Sequence, residues 1–310
     1  MFTTEPFTFT VGEHSSLVLN FGSLITNAML SRLKNLTSID LNHSNKITGE
    51  SISKLTQLSS LVVNKLITDK SISLLKNLNS LDISENLLIT DKSLSRLTNL
   101  TSLTTNDLIS DKSISMLTNL NTLTIPQSDY TRIGLITDNS VSRLVNLKKL
   151  DIPTYLQITD QSVSILTNLT DLKLFQNNIT NSSISNLTNL EILSISNDMN
   201  ITDDGISNLI NLRELDLDNQ VNISDDVLST LTNLMWLRTS ESTTDKGLEN
   251  LTNLTKLDIS GYDSNITGNG ISNLINLTMI DVSDNDNITD DILNKLTNLE
   301  FIHHDFSSIY

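Results

Sequence analysis

The sequence contains no cysteine, which excludes a disulfide, a thiolate metal site and a thiol nucleophile. Only three prolines and nine glycines occur among its 310 residues, and aromatic residues make up 4% of the chain. No segment approaches the run of about eighteen apolar residues that a membrane-spanning helix needs. With 37% apolar residues the chain is still long enough to bury a large core. Because aromatics are scarce, that core must be aliphatic.

Positive charge is scarce as well. Twenty Lys and Arg residues stand against 36 Asp and Glu residues, for a formal net charge of −16 at pH 7. Phosphate binding needs clustered Lys and Arg, so we expect no nucleic acid and no membrane surface among the partners. The first residues carry no basic region followed by an apolar run, and with the lack of cysteine this favours a cytoplasmic location, in the producing cell or in a host. Secretion is the alternative.

Groups that carry catalysis are few. The chain has four histidines, of which His303 and His304 are adjacent and would face opposite sides of a strand. It contains no catalytic triad, phosphate-binding loop or dinucleotide fingerprint. Residues 283–291 are rich in oxygen ligands but lack the glycine and the closing glutamate of a calcium-binding loop. The sequence therefore predicts no enzyme, no cofactor and no metal site.

What the chain does have is an internal repeat. Residues 169–179 have the sequence LTDLKLFQNNI and follow the pattern Leu-x-x-Leu-x-Leu-x-x-Asn-x-Ile. In the repeat at 37–58, Ile39 and Leu41 alternate as in a strand, and Ile52, Leu55 and Leu58 have the spacing of a short helix. Burying the apolar side chains of one unit does not offset the conformational entropy of ordering it. Neighbouring units must therefore stack.

This pattern resembles the leucine-rich repeat family over nearly the whole chain. The resemblance implies an α/β solenoid, a curved horseshoe with a parallel β-sheet on the concave face and short helices or 3-10 turns on the convex face. We predict an N-terminal cap at 1–14, thirteen repeats at 15–299, and a terminal strand with a C-terminal cap at 300–310, all in one domain. Caps are expected because the exposed core edge of a solenoid would aggregate.

Two polar residues recur at fixed positions of the repeat. An aspartate falls at the start of the predicted helical turn, where we expect it to cap free amide groups and to face the positive end of the helix dipole. An asparagine precedes the last leucine of nearly every unit, where we expect the left-handed conformation that a helix exit often needs. Both roles are structural. The aspartates are Asp69, Asp91, Asp111, Asp138, Asp160, Asp203, Asp225, Asp245 and Asp290.

The candidate site lies on the outward side of the predicted sheet in the C-terminal half. Large apolar side chains, among them the only tryptophan, Trp236, are predicted there beside acidic ones. Protein interfaces concentrate their binding energy in such anchors. The pattern predicts a protein partner with a basic, partly apolar surface. The candidate partner-binding residues are Lys173, Phe175, Ile192, Glu214, Asp216, Trp236, Arg238, Asp258, Met279, Asp281, Phe301 and His303.

Two repeats depart from the pattern. The repeat at 121–147 is the longest, and its extra residues at 126–134 predict a loop whose Tyr130 and Arg132 are candidate partner contacts. A tolerated insertion is the alternative. The repeat at 235–254 has Thr239 and Thr243 where other repeats have Leu or Ile, which predicts looser packing.

Two subfamily resemblances compete. Residues 201–206, ITDDGI, and 244–248, TDKGL, are similar to the ITDxGL pattern of F-box repeat proteins, which recruit substrates to ubiquitin ligases. The missing cysteine and the short segment before the first repeat depart from that subfamily. Residues 166–169, LTNL, resemble units of SDS22-like and internalin-like proteins, which bind phosphatases or cell-surface receptors. Here the departure is a longer, serine-rich helical turn.

Together these patterns favour a non-enzymatic scaffold or adaptor that is monomeric alone and binds a protein on its concave β-face. The first alternative is a secreted or host-directed adhesin or effector. The second is a regulator of an enzyme, such as an inhibitor, an activator or a ubiquitin-ligase substrate receptor without its own F-box.

Overall fold

The computed structural model describes residues 16–18, 25–126, 135–152, 157–196, 200–218, 222–261 and 263–303. Two compact units are distinguished, Met1–Leu120 and Asn121–Tyr310. The predicted N-terminal cap, residues 304–310 of the C-terminal cap, and the loop contacts Tyr130 and Arg132 lie outside the described residues. The cap, repeat and single-domain assignments stay predictions.

In the unit Met1–Leu120, short strands pair in parallel in sequence order, and a four-residue helix follows each strand. The strands are β1 (Ser16–Val18), β2 (Ser38–Asp40), β3 (Ser60–Val62), β4 (Ser80–Asp82) and β5 (Ser102–Thr104). The helices are α1 (Asn27–Leu30), α2 (Gly49–Ile52), α3 (Asp69–Ile72), α4 (Asp91–Leu94) and α5 (Asp111–Ile114).

The unit Asn121–Tyr310 continues the same alternation, again with parallel pairing in sequence order. Its strands are β6 (Thr122–Thr124), β7 (Lys149–Ile152), β8 (Asp171–Phe175), β9 (Ile192–Ser196), β10 (Glu214–Asp216), β11 (Trp236–Arg238), β12 (Lys256–Asp258), β13 (Met279–Asp281) and β14 (Phe301–His303). Its helices are α6 (Asp138–Val141), α7 (Asp160–Val163), α8 (Asn181–Ile184), α9 (Asp203–Ile206), α10 (Asp225–Leu228), α11 (Asp245–Leu248), α12 (Gly268–Ile271) and α13 (Asp290–Leu293).

The strand register brings equivalent repeat positions side by side. Leu172 of β8 pairs with Leu150 of β7 and with Leu193 of β9, and all three side chains are fully buried. Asp171 and Lys173 lie on the opposite face because side chains alternate along a strand. Each layer of the core is therefore built from the same position of successive repeats, and the core is aliphatic as predicted.

The helices are shorter than the apolar spacing predicts. Helix α2 ends at Ile52, and Leu55 and Leu58 follow it in tight turns. The Leu55 amide donates to the Ile52 carbonyl at 2.9 Å, and the Leu58 amide donates to the Leu55 carbonyl at 3.1 Å. The three-residue spacing reflects these i→i+3 bonds, which bury all three side chains without a longer helix.

The recurring aspartates begin the helices, but the prediction that they cap them was wrong. The cap is the preceding residue: Thr90 Oγ1 accepts a hydrogen bond from the Lys92 amide at 3.3 Å. The Asp69 carboxylate instead accepts from the next repeat, from the Thr90 amide at 2.9 Å, from Thr90 Oγ1 at 2.7 Å and from Ser93 Oγ at 2.5 Å. A carboxylate has enough acceptor positions for all three donors. This side chain therefore links two successive repeats.

The same link recurs along the chain. Burial opposes the charge of Asp69, but the bonds from Ser93 and Thr90 outweigh it and hold the pKa of this carboxyl below its usual value. A Cβ built on Gly247 would lie 2.5 Å from Asp225 Oδ1, so the glycine of the TDKGL segment permits this carboxylate to approach closely. Equivalent inter-repeat bonds join Asp91 to Ser110, Asp138 to Thr159, Asp160 to Thr180, Asp203 to Ser224, Asp225 to Thr244 and Asp245 to Thr267, and Asn27 and Asn181 fill the position elsewhere.

The asparagines before the last leucine also link repeats, and the prediction of a left-handed backbone was wrong. Among the described non-glycine residues, only Gln176 and Asp284 have a positive φ. Asn99 Nδ2 donates to the Lys76 carbonyl of the preceding repeat at 3.0 Å, which satisfies a loop carbonyl that has no helical or strand partner. The same bond is made by Asn77, Asn119, Asn168, Asn189, Asn211, Asn233, Asn253, Asn276 and Asn298.

The Asp69 link predicts a pH-dependent stability. The pKa of Asp69 is lower in the folded state than in the unfolded state, so its carboxylate stabilises the fold above about pH 4, the usual pKa of an unfolded aspartate. This stabilisation is lost as pH falls through the folded pKa. Asp69→Ala should lower the free energy of unfolding by about 1–3 kcal/mol at pH 7. Asp69→Asn should cost less, because Asn27 keeps the equivalent bonds to Thr48 and Ser51. Urea unfolding at pH 7 and pH 3 measures both.

The difference between wild type and Asp69→Asn should shrink at pH 3, since only the wild-type group titrates. Asp204→Asn is the control, because Asp204 lies in the first turn of α9, is exposed, and its side chain makes no hydrogen bond within the described residues. An equal effect of the control, or a difference that grows at low pH, would contradict the prediction.

Buried threonines give a second stability prediction. Thr105 is fully buried and its hydroxyl has no hydrogen-bond partner among the described residues, whereas buried Thr243 Oγ1 lies 3.1 Å from Ser240 Oγ and accepts from the Ser240 amide at 3.3 Å. Thr105→Val should therefore raise the free energy of unfolding by about 1 kcal/mol, because it removes an unpaired buried hydroxyl at nearly constant shape. Thr243→Val should lower it. Urea titrations in which both changes have the same sign would refute this account.

Candidate protein-binding surface

One outward position of the C-terminal strands forms a continuous row. We call Ile192, Glu214, Trp236, Lys256, Met279 and Phe301 row A. These residues are direct register partners on β9 to β14. Phe301 is 62% exposed and Met279 is 40% exposed, whereas Ile192 and Trp236 are half-buried. Row A therefore presents four large apolar side chains along one face of the sheet, with Glu214 and Lys256 between them.

A parallel row lies two residues further along each strand. We call Lys173, Ser194, Asp216, Arg238, Asp258, Asp281 and His303 row B, which runs from β8 to β14. Arg238 Nε lies 3.3 Å from Asp258 Oδ2, and its Nη2 lies 3.6 Å from Asp218 Oδ1. Ser194 Oγ donates to Asp216 Oδ2 at 3.3 Å. Most charges of row B are thus engaged within the sheet.

The aspartates of row B also shape the chain after each strand. Asp216 Oδ1 accepts from the Asp218 amide at 3.1 Å, and Asp258 Oδ1 accepts from the Ser260 amide at 3.1 Å. Asp281 Oδ1 makes the equivalent bond to the Ser283 amide at 2.9 Å. These are Asx turns, in which an aspartate side chain stabilises the turn two residues on. All three candidate residues therefore have a structural role.

Burial changes the acidity of two carboxyls on this face. It raises the pKa of Asp216, although the Asp218 amide, Arg238 and Ser194 act in the opposite direction. It also raises the pKa of Asp151 on β7, against the attraction of Lys173 and Lys149. In both cases the desolvation of a charged group outweighs its favourable contacts.

A trough of about 510 Å³ runs along row A across the strands. Row A from Ile192 to Met279 lines it. Arg213, Met235 and Thr255 flank it on one side, and Lys173, Ser194 and Asp216 flank it on the other. The trough thus crosses β9 to β13 and brings together three of the four large apolar side chains of row A, Ile192, Trp236 and Met279.

The remaining candidate residues lie at the margins of this site. Phe175 is half-buried at the end of β8, where it pairs with Ser196, and it does not line the trough. His303 is exposed on β14. Sequence reasoning did not select Lys256 or Met235, although the register of the repeat already puts Lys256 between Trp236 and Met279.

The described residues offer no sign of a metal centre or a membrane span. Within these ranges, no three His, Asp or Glu side chains are grouped so that they could hold a metal ion. Every helix there has four residues, which is too short to cross a bilayer.

Comparison with known proteins identifies the class of fold. Internalin InlF from Listeria monocytogenes is similar in structure, with a TM-score of 0.62 and 26% identity over 96% of this chain and 88% of that chain. TLR13, solved in complex with ssRNA13, has a TM-score of 0.53 and 22% identity over 88% of this chain and 50% of that chain, and this likeness concerns the fold alone. No protein-family model and no curated protein matches the chain. The fold is an α/β leucine-rich repeat solenoid, which confirms the predicted class.

The raised pKa of Asp216 predicts that its charge lowers stability. A carboxyl with a raised folded pKa stabilises the fold in its protonated form. This stabilisation is fully present below the unfolded pKa of about 4 and is lost as pH rises through the folded pKa. Asp216→Asn should therefore unfold at a higher urea concentration than wild type at pH 7, and the advantage should vanish at pH 3. Asp258→Asn is the control: it should bring no gain, because Asp258 pairs with Arg238. A wild type more stable than Asp216→Asn at pH 7 would overturn the prediction.

Proposed function

We propose that the protein is a non-enzymatic interaction scaffold whose unit Asn121–Tyr310 binds a protein partner through row A. The observation that carries this proposal is the placement of Ile192, Trp236, Met279 and Phe301 in one outward row that lines or adjoins a trough, with Met279 and Phe301 exposed and the other two half-buried. Large apolar side chains on a polar surface cost solubility unless a partner covers them. Aromatic residues and methionine are also enriched in protein interfaces.

The partner class follows from the chemistry of the face. We expect the partner to supply apolar side chains opposite row A and basic groups near the acidic residues of row B. A protein partner is favoured over nucleic acid, because the net charge is −16 and the cations Arg213 and Arg238 lie within 4 Å of acidic residues. A cytoplasmic adaptor that is monomeric on its own remains our first hypothesis.

A second candidate function is a secreted or host-directed adhesin or effector. It is supported by the LTNL units and by the 26% identity with internalin InlF over most of both chains. The F-box resemblance gives weaker support for a ubiquitin-ligase role. The glycine of its ITDxGL-like pattern, Gly247, already has a structural explanation, because it leaves room for the carboxylate of Asp225. Fractionation of the producing cells separates the two candidates: protein in the medium or on the surface supports the second, and retention inside the cell supports the first.

The test of row A is site-specific photocrosslinking in a lysate of the producing cells. A photoreactive phenylalanine at position 214 should crosslink a discrete protein, because this position lies between Ile192 and Trp236. The same group at position 161 is the matched control, since Gln161 is exposed on helix α7 of the same unit. The double variant Trp236→Ala and Phe301→Ala should abolish the crosslink at position 214.

Circular dichroism checks that the variants fold. Crosslinking of the same protein from position 161, or crosslinking at position 214 that is unchanged in the folded double variant, would refute row A as the binding surface.

A further inference from the structure

We infer that the trough along row A receives one face of an amphipathic α-helix that lies across the strands, with a basic residue opposite Glu214 and an acidic residue opposite Lys256. This inference deepens the proposed function and depends on it. It specifies the secondary structure of the partner segment and the order of its charges.

The spacing of row A favours a helix. Neighbouring strands lie about 4.8 Å apart, so Ile192 to Met279 spans about 19 Å. A helix presents a side chain on the same face every turn, or about every 5.4 Å. When such a helix is centred on Trp236, its side chains drift from row A by only about 1.2 Å at either end. About four turns of the helix then place five contact positions along the trough.

An extended segment that crosses the strands fits less well. Its side chains on one face recur about every 6.6 Å, which exceeds the strand spacing by about 1.8 Å per step. Two strands away from Trp236 the mismatch reaches about 3.6 Å, most of one strand spacing. An extended chain would therefore lose its match with Ile192 and Met279, which a helix retains.

The charges of row A define the order of complementary groups. Within the described residues, neither the side chain of Glu214 nor that of Lys256 makes a hydrogen bond or an ion pair, and each lies between two apolar register partners. Trp236 separates them, and at two strand spacings, about 9.6 Å, they lie too far apart to pair directly. The complementary helix face therefore carries apolar, basic, apolar, acidic and apolar residues on successive turns.

The flanking residues support this assignment because several are already engaged. Asp216 accepts hydrogen bonds from Ser194 and from the Asp218 amide, and Arg213 lies 3.9 Å from Glu191. Glu214 and Lys256 are thus the charged groups on the floor of the trough that lack partners in the described part of the chain. Opposite charges across an interface determine partner choice and register more than affinity.

The experiment uses the full chain and four stapled helical peptides without tryptophan. Each has leucine at the first, third and fifth contact turns. The peptides differ only at the second and fourth contact turns. The mixed peptide has Arg and Glu there, and the other three have two Arg, two Glu or two Gln. Binding is followed by the fluorescence of Trp236, the only tryptophan of the protein. The mixed peptide should bind about tenfold more tightly than either like-charged peptide, and the Gln peptide should bind about as tightly as the like-charged ones, in which one attraction and one repulsion nearly cancel.

Charge exchange in the protein supplies the matched controls. Glu214→Lys should shift the preference to the two-Glu peptide, and Lys256→Glu should shift it to the two-Arg peptide. The variant with both substitutions should again prefer the mixed peptide, because a helix can lie in either direction. These differences should shrink in high salt, as expected for exposed charges. Four peptides of equal affinity would overturn the assignment of charges.

The helical conformation has its own test. An unstapled mixed peptide with proline at a central position that faces solvent should bind at least about tenfold more weakly than the stapled peptide, because proline breaks the helix. Equal binding would overturn the helix. If no peptide changes the fluorescence while position 214 still crosslinks a protein, the inference fails and the proposed function stands. If the crosslink is also absent, both fail.

Discussion

A single repeat buries too few apolar side chains to offset the entropy of its own ordering, so every feature of this protein depends on the stacking of one repeat on the next. Parallel pairing puts Leu150, Leu172 and Leu193 side by side in a fully buried layer. The bonds that Asp69 accepts from Thr90 act at the helical side of the same junction. Hydrophobic layers and inter-repeat hydrogen bonds thus enforce the same register.

That register leaves the outward positions free to vary. In the unit Met1–Leu120 the position equivalent to row A is serine in β1 to β5, which gives a uniform row of small side chains. In the unit Asn121–Tyr310 the same position holds, from β9 to β14, isoleucine, glutamate, tryptophan, lysine, methionine and phenylalanine. Since both sets satisfy the same backbone pairing, the chemistry of row A is not required by the fold. This contrast is why we place recognition in the second unit.

The sequence predicted the side-chain orientations that are determined within one repeat, but not the hydrogen bonds that join two repeats. The buried positions of Leu172 and Leu174, and the outward position of Trp236, follow from alternation within a strand. The roles of Asp69 and Asn99 were mistaken because their partners lie in the adjacent repeat, about one repeat length away in sequence. The recurrence of Thr or Ser before each described helix, with Ser or Gly three residues later in ten of the thirteen, was the available signal of these links.

The same distinction changes how the acidity of the chain bears on its partner. A net charge of −16 invites the expectation of a basic partner, yet many of the carboxylates have donors within the fold. Asp69 accepts from the next repeat, and Asp216 and Asp258 stabilise turns after their strands. A carboxylate that already accepts amide and hydroxyl hydrogen bonds has less to offer a partner than one that is exposed and unpaired. Recognition should therefore follow the local order of unpaired charges along row A, Glu214 before Trp236 and Lys256 after it, more closely than the total charge.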